Sequence, residues 1–504
     1  MAIRTEVLRS FYQDSVVLMR VASAIRARQG VREAAAFMGT PANQDLLEQN
    51  GLATPESRAA RPDDLILAVD AADDAVAVEA LGAARTLLTE RRQAAGTKTR
   101  MRPRTLDAGL RALPGANLAT ISVPGAYAAF EARRALRGGL HVFLFSDNVP
   151  VHEEIALKRE AVNRGLLCMG PDCGTAYLNG TGLGFANAVP RGRIGCVAAS
   201  GTGLQAVACR IAALGEGISQ GIGVGGRDLS QDVGGIMTLF ALQALIAHAS
   251  TEAIVVISKP AHPDVLPKIE AALEAAGKPV VVCMLGAKFG GGRAMWVETV
   301  DQAADAVVAR VSNRSWSPRP FSDPAAIRTA LAGIGSGATG KAVLGLYTGG
   351  TLAHEAHLIL DDLLGPKDTN RILDLGDDAY TVGRPHPMID PQPRTDLLRK
   401  AADDSQIGVL LADLVLGTGS HPNPAEPLAA GFEQARAHAA ASGRTLVGVA
   451  SVVGTSGDGQ GFTRQIDRLK SAGFVVLPTN AEAARFAALV ANPGLASHLL
   501  EDAR

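Results

Sequence analysis

Nine short apolar runs, each followed by an alanine-rich segment of helical period, constrain what this chain can become. They are DLILAVD (64–70), LATISV (118–123), LHVFLF (140–145), RIGCVAA (193–199), EAIVVIS (252–258), KPVVVCML (278–285), KAVLGLY (341–347), IGVLLADLVL (407–416) and RTLVGVASVV (444–453). Strands apolar on both faces, alternating with helices, predict parallel sheets covered by helices on either side. The expected class is α/β, repeated along the chain.

At 504 residues the chain exceeds one ordinary core, which implies several domains. Three boundaries suggest themselves: the basic stretch 96–109, VPRGRIG at 189–195, and the Pro-, Ser- and Gly-rich stretch 312–340. The expected division is an N-terminal βα domain (1–104), a second domain (105–190), a third (191–312), a linker (313–340) and a last domain (341–504). Lys98, Arg100, Arg102 and Arg104 in the first boundary can serve an anion or simply solvate a connection.

Charge is balanced, with 49 Lys+Arg against 50 Asp+Glu, and aromatics are 4%. Neither nucleic acid nor an anionic membrane is an expected partner. The five cysteines are odd in number, sparse and without a C-x-x-C pair, as in a reduced protein. MAIRTEVLRSFYQDS has no apolar core of a signal peptide, and no apolar run is long enough to span a bilayer. A cytoplasmic location is expected.

Glycine is 55 of 504 residues, about 11% where about 7% is usual, and the excess gathers where strands hand over to helices. The four turns carry Ser200, Gly201, Thr202, Gly203; Thr348, Gly349, Gly350, Thr351; Gly417, Thr418, Gly419, Ser420; and Gly454, Thr455, Asp458, Gln460. Helix N-termini expose unpaired N–H groups, and glycine lets an anion approach them. Plain capping explains any one turn; four on neighbouring strands point to a phosphate or acyl-phosphate site. His354-Glu355-Ala356-His357 has no third ligand in view, so no metal is expected. Gly221, Gly223 and Gly226 fit G-x-G-x-x-G but lack an acidic ribose partner, so a structural turn is the better reading.

From about 105 to 300 the sequence resembles the alpha subunit of succinyl-CoA synthetase: TISVPGAYAAFEARRALRGG, SDNVP, GLLCMGPDC, GRIGCVAASGTG and GIGVGGRD stand in that family's order. The stretch 341–490, with TGGT and LGTGS, is similar to the carboxy-terminal domain of its beta subunit. The resemblance implies several Rossmann- and flavodoxin-like parallel-sheet domains, without an ATP-grasp domain. It also implies that the LGTGS turn opens the helix opposing Ser200–Gly203. The departures concern chemistry. GAKFGGGRAMW (286–296) holds no histidine where the family carries its phosphohistidine loop, Lys259 in SKPAH replaces the orienting glutamate, and no CoA-cradling glycine loop is visible in the first hundred residues.

RSFYQDSVVLMRVASAIRARQGVREAAAFMGTPANQDLL, RILDLGDDAYTVGRPHPMIDPQPR and VGTSGDGQ make the whole resemble the FdrA family. That likeness implies one subunit of an oligomeric, multi-subunit carbamoyltransferase. Its reaction converts oxalurate and phosphate to oxamate and carbamoyl phosphate, with phosphate as co-substrate and no other cofactor. Such a reaction needs an anion cradle and oxyanion stabilisation, but neither phosphohistidine nor ATP domain. Within it, Arg384 and Arg227 are candidates to clamp phosphate or a carboxylate. His386 is either an acid/base or a turn residue bonded to backbone. Asp377 and Asp378 orient a base, hold a metal or cap a helix, and Cys173 is either reactive or a buried structural thiol. Two other readings stand beside this one: CoA thioester chemistry completed by partner subunits, with CoA bound, and a non-catalytic subunit whose turns bind an anion.

Overall fold

The computed structural model describes all residues except 1, 12, 14, 96–102, 104, 288–291, 335–337, 339, 368, 382–384 and 501–504. Lys98, Arg100, Arg102, Arg104 and Arg384 therefore lie outside the described residues. The chain divides into two compact units, one made essentially of residues 1–105 and one of 106–381 with 386–504.

The first unit is a three-stranded antiparallel sheet of β1 (Ala2–Leu8), β2 (Val31–Met38) and β3 (Leu65–Ala71), ordered β1-β3-β2. This corrects the parallel reading of DLILAVD. The run is apolar on both faces because β3 is the central strand and both its faces are covered. Helices Ser15–Arg26 and Asp74–Ala95 pack on one through Leu18, Ile25 and Ala80; Leu47 and Leu52 cover the other.

The second unit holds three sheets. β4 (Leu118–Ile121), β5 (His141–Leu144) and β6 (Cys168–Met169) form a small parallel sheet. A larger one follows from β7 (Thr175–Leu178), β8 (Thr181–Gly184), β9 (Arg191–Ala198), β10 (Ile218–Gly223), β11 (Ala253–Ser258), β12 (Val280–Met284) and β13 (Met295–Trp296), ordered β13-β12-β11-β9-β10-β7-β8. β7 and β8 make a hairpin on its edge, turned by Asn179-Gly180 at φ 50° and 83°, the left-handed pair that such turns require. The third sheet is wholly parallel: β14 (Ala342–Tyr347), β15 (Arg371–Asp374), β16 (Ile407–Val415), β17 (Val447–Val453) and β18 (Phe474–Leu477), ordered β15-β14-β16-β17-β18.

The parallel parts of the two larger sheets share one topology. Counting β9 or β14 as the first strand, each runs 2-1-3-4-5, the flavodoxin-like order whose switch point lies between strands 1 and 3. Apolar burial drives both: every residue of β11, β12, β14, β16 and β17 is buried, as strands covered on two faces must be. β9 begins at Arg191, inside VPRGRIG and at the expected start of the third domain, and the stretch expected as a linker contains the helix Pro324–Gly333, capped by the Asp323 carboxylate and anchored by Ile327. Among the described residues no helix is long and apolar enough to cross a membrane.

Candidate functional site

The turn after β9 opens the helix Gly201–Ala213, the 201 helix. Ser200 caps it, its Oγ accepting from the Gly203 N–H at 3.1 Å. A Cβ added at Gly203 would press on Ile257 at 3.1 Å and Thr351 at 3.2 Å, so those side chains would have to give way. The turn after β14 opens the helix Gly350–Leu364, the 350 helix, with Gly349 at its cap. Here a carboxylate from the neighbouring strand β16 takes the capping role. Asp413 accepts from the N–H of Thr348 (2.8 Å) and Gly349 (2.9 Å), and Thr348 Oγ1 donates to both its oxygens at 3.1 Å. Arg394 Nη1 donates to the Asp413 carbonyl at 2.7 Å and its Oδ1 at 3.3 Å; the two side chains are 2% and 0% exposed by residue. Burial pushes the Asp413 carboxyl up and the Arg394 guanidinium down, and their mutual attraction opposes both shifts.

The starts of the two helices meet. Thr351 Oγ1 donates to Ser200 Oγ at 2.5 Å, and a Cβ added to Gly349 would stand 2.9 Å from Thr202. No acceptor among the described residues pairs with the N–H groups of Gly201, Thr202, Gly350 or Thr351. Two positive dipole ends and four donors thus converge where β9, β11 and β14 end.

Charged and polar groups border this point. The Asp374 carboxylate, at the end of β15, lies 2.3 Å from where a Gly350 Cβ would stand, and its Oδ1 accepts from the Gly376 N–H at 3.0 Å. Burial raises the Asp374 pKa; the exposed Lys259 ammonium, after β11, pulls the other way. His386 Nδ1 accepts from the Met388 N–H at 3.2 Å, which leaves the proton of the neutral ring on Nε2. Nε2, the Thr348 carbonyl and Asp374 Oδ1 converge on Gly376, at 2.8, 3.1 and 3.2 Å from an added Cβ. The ring packs against Phe185 at 5.5 Å, and burial pushes its pKa down to about 4, so it is neutral near pH 7.

Of the residues singled out in the sequence, Ser200, Gly201, Thr202, Gly203, Gly349, Gly350, Thr351 and His386 come together. Gly417, Thr418, Gly419 and Ser420 do not open the opposing helix, and this corrects that expectation. The next helix begins eight residues beyond Gly417, at Ala425, while the turn docks on the segment after β8. Thr418 N–H donates to the Ala186 carbonyl at 2.8 Å, and Gly419 closes on Phe185. The turn with Thr455, Asp458 and Gln460 holds the same segment, since Asp458 accepts from Asn187 Nδ2 (2.8 Å) and the Ala188 N–H (2.7 Å). Gln460 Nε2 donates to the Gly417 carbonyl at 2.8 Å. Glycine-rich turns at parallel strand ends serve chain–chain packing as readily as ligands, and only the partners across the gap distinguish the two.

Arg227 is engaged already: its Nη2 lies 2.9 Å from Glu154 Oε2 and donates to the Val149 carbonyl at 2.7 Å. Glu154 in turn shares the fully buried Lys158 with Asp228, so the arginine belongs to an ionic network rather than standing as a free clamp. Asp377 caps the short helix Asp378–Thr381 through the Ala379 N–H at 2.9 Å. Cys173 is buried, donates to the Thr175 carbonyl and has its thiol pushed up to about 12 by burial, so it is a structural thiol. Gly223 abuts the Thr175 carbonyl and Cys173, which makes that turn a packing feature. Sequence reasoning missed Asp374 and Asp413. Their signal was an acidic residue inside or at the end of an apolar strand, in RILD and LLADLV.

Comparison with known proteins follows the same division. Residues 1–103 match a family model described as AllF, heavy metal-associated domain, and residues 346–490 match one described as CoA-ligase. Residues 1–103 contain neither cysteine nor histidine, so this domain offers no thiolate or imidazole ligand to a soft metal. The chain is 31% identical over 130 residues to succinate–CoA ligase [ADP-forming] subunit alpha 2 of Archaeoglobus fulgidus, covering 25% of this chain and 45% of that protein. The acetyl-coenzyme A synthetase 1 of Ca. Korarchaeum cryptofilum, solved with phosphate and ADP, is 16% identical at a TM-score of 0.31, over 77% of this chain and 85% of that one. ATP citrate lyase from Methanothrix soehngenii gives 17% and 0.34 over 46% of each chain. The protein YahF of Escherichia coli (strain K12) is 38% identical over 507 aligned positions, covering 94% of this chain and 96% of that protein. An AllF-type amino-terminal domain joined to a CoA-ligase domain, aligned with that protein over nearly all of both chains, makes this chain a member of the YahF family.

Proposed function

We propose that this chain is a CoA-ligase-type subunit that handles an acyl phosphate between the first turns of the 201 and 350 helices. One observation carries the reading: four N–H donors without an acceptor among the described residues sit at two helix starts joined by the hydrogen bond from Thr351 Oγ1 to Ser200 Oγ. A phosphate dianion there is favoured by both dipoles and by Lys259. His386 Nε2–H is a neutral donor for the carbonyl oxygen, and the Asp374 carboxyl, raised by burial, can move a proton. The matches to a CoA-ligase model and to a succinate–CoA ligase subunit support thioester chemistry, with CoA and the missing activation supplied through partner subunits.

A second reading, carbamoyl transfer in an FdrA-like complex, is favoured by a specific observation: residues 286–296 contain no histidine to carry phosphate. In this reaction a phosphate oxygen attacks the carbamoyl carbon of oxalurate and the bond to the oxamate nitrogen breaks. The proton of the phosphate passes by way of Asp374 to that nitrogen, which gives carbamoyl phosphate and oxamate. The test uses the chain together with the proteins encoded beside its gene. Phosphate-dependent carbamoyl phosphate from oxalurate supports the second reading; acyl-CoA formation from an acyl phosphate supports the first. Neither product, with phosphate binding weakened by Ser200→Ala and Thr351→Val, leaves the non-catalytic reading, in which the turns bind an anion.

A further inference from the structure

β4 is an edge of the small parallel sheet, with β5 its one strand neighbour among the described residues. The Asn117 carbonyl accepts from the His141 N–H at 2.8 Å and the Ile121 carbonyl from the Phe145 N–H at 2.9 Å, so residues 117, 119 and 121 face β5. Alternation along the strand turns the N–H and C=O of Leu118 and Thr120 to the open side. No described residue pairs with them there. The strand reads Leu-Ala-Thr-Ile, without the charge or proline that commonly guards an exposed edge.

The surface around this edge is apolar. Of the eight large apolar side chains exposed among the described residues, four lie within 113–130: Leu113 (64%), Val123 (38%), Tyr127 (67%) and Phe130 (62%). Tyr127 and Phe130 belong to the helix Gly125–Arg137, the 125 helix, which buries Ala128, Ala132 and Ala135. One flank of it is occupied by the helix Val151–Asn163, where Arg133 donates to Glu153 at 2.6 Å and Arg137 to Glu160 at 3.3 Å. At 3.6 residues per turn, Tyr127, Glu131 and Arg134 fall on the opposite flank, toward the open side of β4. Glu131 and Arg134 pair with each other at 3.4 Å, and Arg134 stands over the Phe130 ring at 5.7 Å. One acid and one base on an apolar flank make it neutral as a whole and complementary to itself, because a two-fold axis brings the acid of one copy toward the base of the other.

We propose that this face joins two copies of the chain about a two-fold axis at Ala119. Antiparallel pairing of β4 with the β4 of a second copy sets Leu118 opposite Thr120. The two outward N–H groups of each chain then donate to the two outward carbonyls of the other, and no edge group is left over. The two three-stranded sheets become one continuous sheet, and the 125 helices lie on the same side of it, flanking the join, where Tyr127 and Phe130 leave water. A strongly charged partner strand gains nothing from an edge and a flank that are neutral.

Sedimentation of the full chain over a hundredfold range of concentration, with hydrogen exchange read on peptides covering 117–122, tests this. A dimer is expected, with exchange in those peptides slowing as dimer accumulates. Tyr127→Asp and Phe130→Asp alter exposed side chains and leave the fold intact. Each is expected to weaken dimerisation by about thirtyfold or more and to restore fast exchange. A chain that stays monomeric overturns the proposal, and so does slowed exchange at 117–122 that appears only when a protein encoded beside the gene is added. A dimer that survives both substitutions, with 117–122 exchanging freely, overturns it as well.

Discussion

Asp413 and His386 show how much one side chain settles at the candidate site. Asp413 holds two backbone N–H groups, a threonine hydroxyl and a buried guanidinium at once. Removing one partner of a buried ion pair leaves the other uncompensated, which costs about 3–5 kcal/mol. Asp413→Ala is therefore expected to lower unfolding stability by about that amount, read from the urea midpoint at constant m-value. His386 acts through pH. Its folded pKa, about 4, lies below the ordinary 6.5, so the unfolded chain binds the proton first. Its contribution is present above pH 6.5 and is lost as pH falls toward 4. Denaturation of His386→Asn at pH 4.5 and pH 7 is expected to show about 1–3 kcal/mol less acid loss than the unaltered chain. An equal acid loss in both proteins counts against the buried neutral ring.

At the scale of elements, the close approach of two helix starts sets the geometry of the anion cradle. Thr202 and Gly349 are in contact across it, so adding one methyl group at 349 forces the helices apart. Gly349→Ala is expected to destabilise by about 1–3 kcal/mol and to weaken phosphate binding; Thr202→Gly in the same chain is expected to recover part of both. A double-mutant cycle with no coupling between 202 and 349 would contradict the contact. The strands on which the turns sit were readable in advance. LGLYTGG and GCVAASGTG announced a buried strand running into a glycine-opened helix, and both did so. LVLGTGSHPNP carries the same signal, but its prolines delay the helix to Ala425, and Thr418 finds its backbone partner in Ala186 instead. Local composition specifies the turn; the nearest unpaired edge decides its use.

For the whole molecule, the division into two compact units has a thermodynamic consequence. Residues 1–105 carry their own core on both faces of a three-stranded sheet, whereas the larger sheets of 106–504 share buried clusters, with Phe185 and Cys209 packed among residues of the last sheet. Calorimetry is expected to show more than one transition, the larger belonging to 106–504 as a single cooperative block. A single transition with equal calorimetric and van't Hoff enthalpies excludes this.

The sequence by itself determined the alternation of buried strands and helices, the glycine turns at 200–203 and 348–351, and the balanced charge, because burial and backbone freedom are local properties of residue type. It did not determine that DLILAVD would lie in an antiparallel sheet, since a central strand covered on both faces has the same pattern in either direction. Nor did it reveal which turns face one another, that Arg227 is held by Glu154, or that Asp413 and Asp374 stand beside the 350 helix start. Those facts depend on contacts between residues as far as 151 positions apart, as between Ser200 and Thr351. Only the packing of two similarly ordered sheets brought them together.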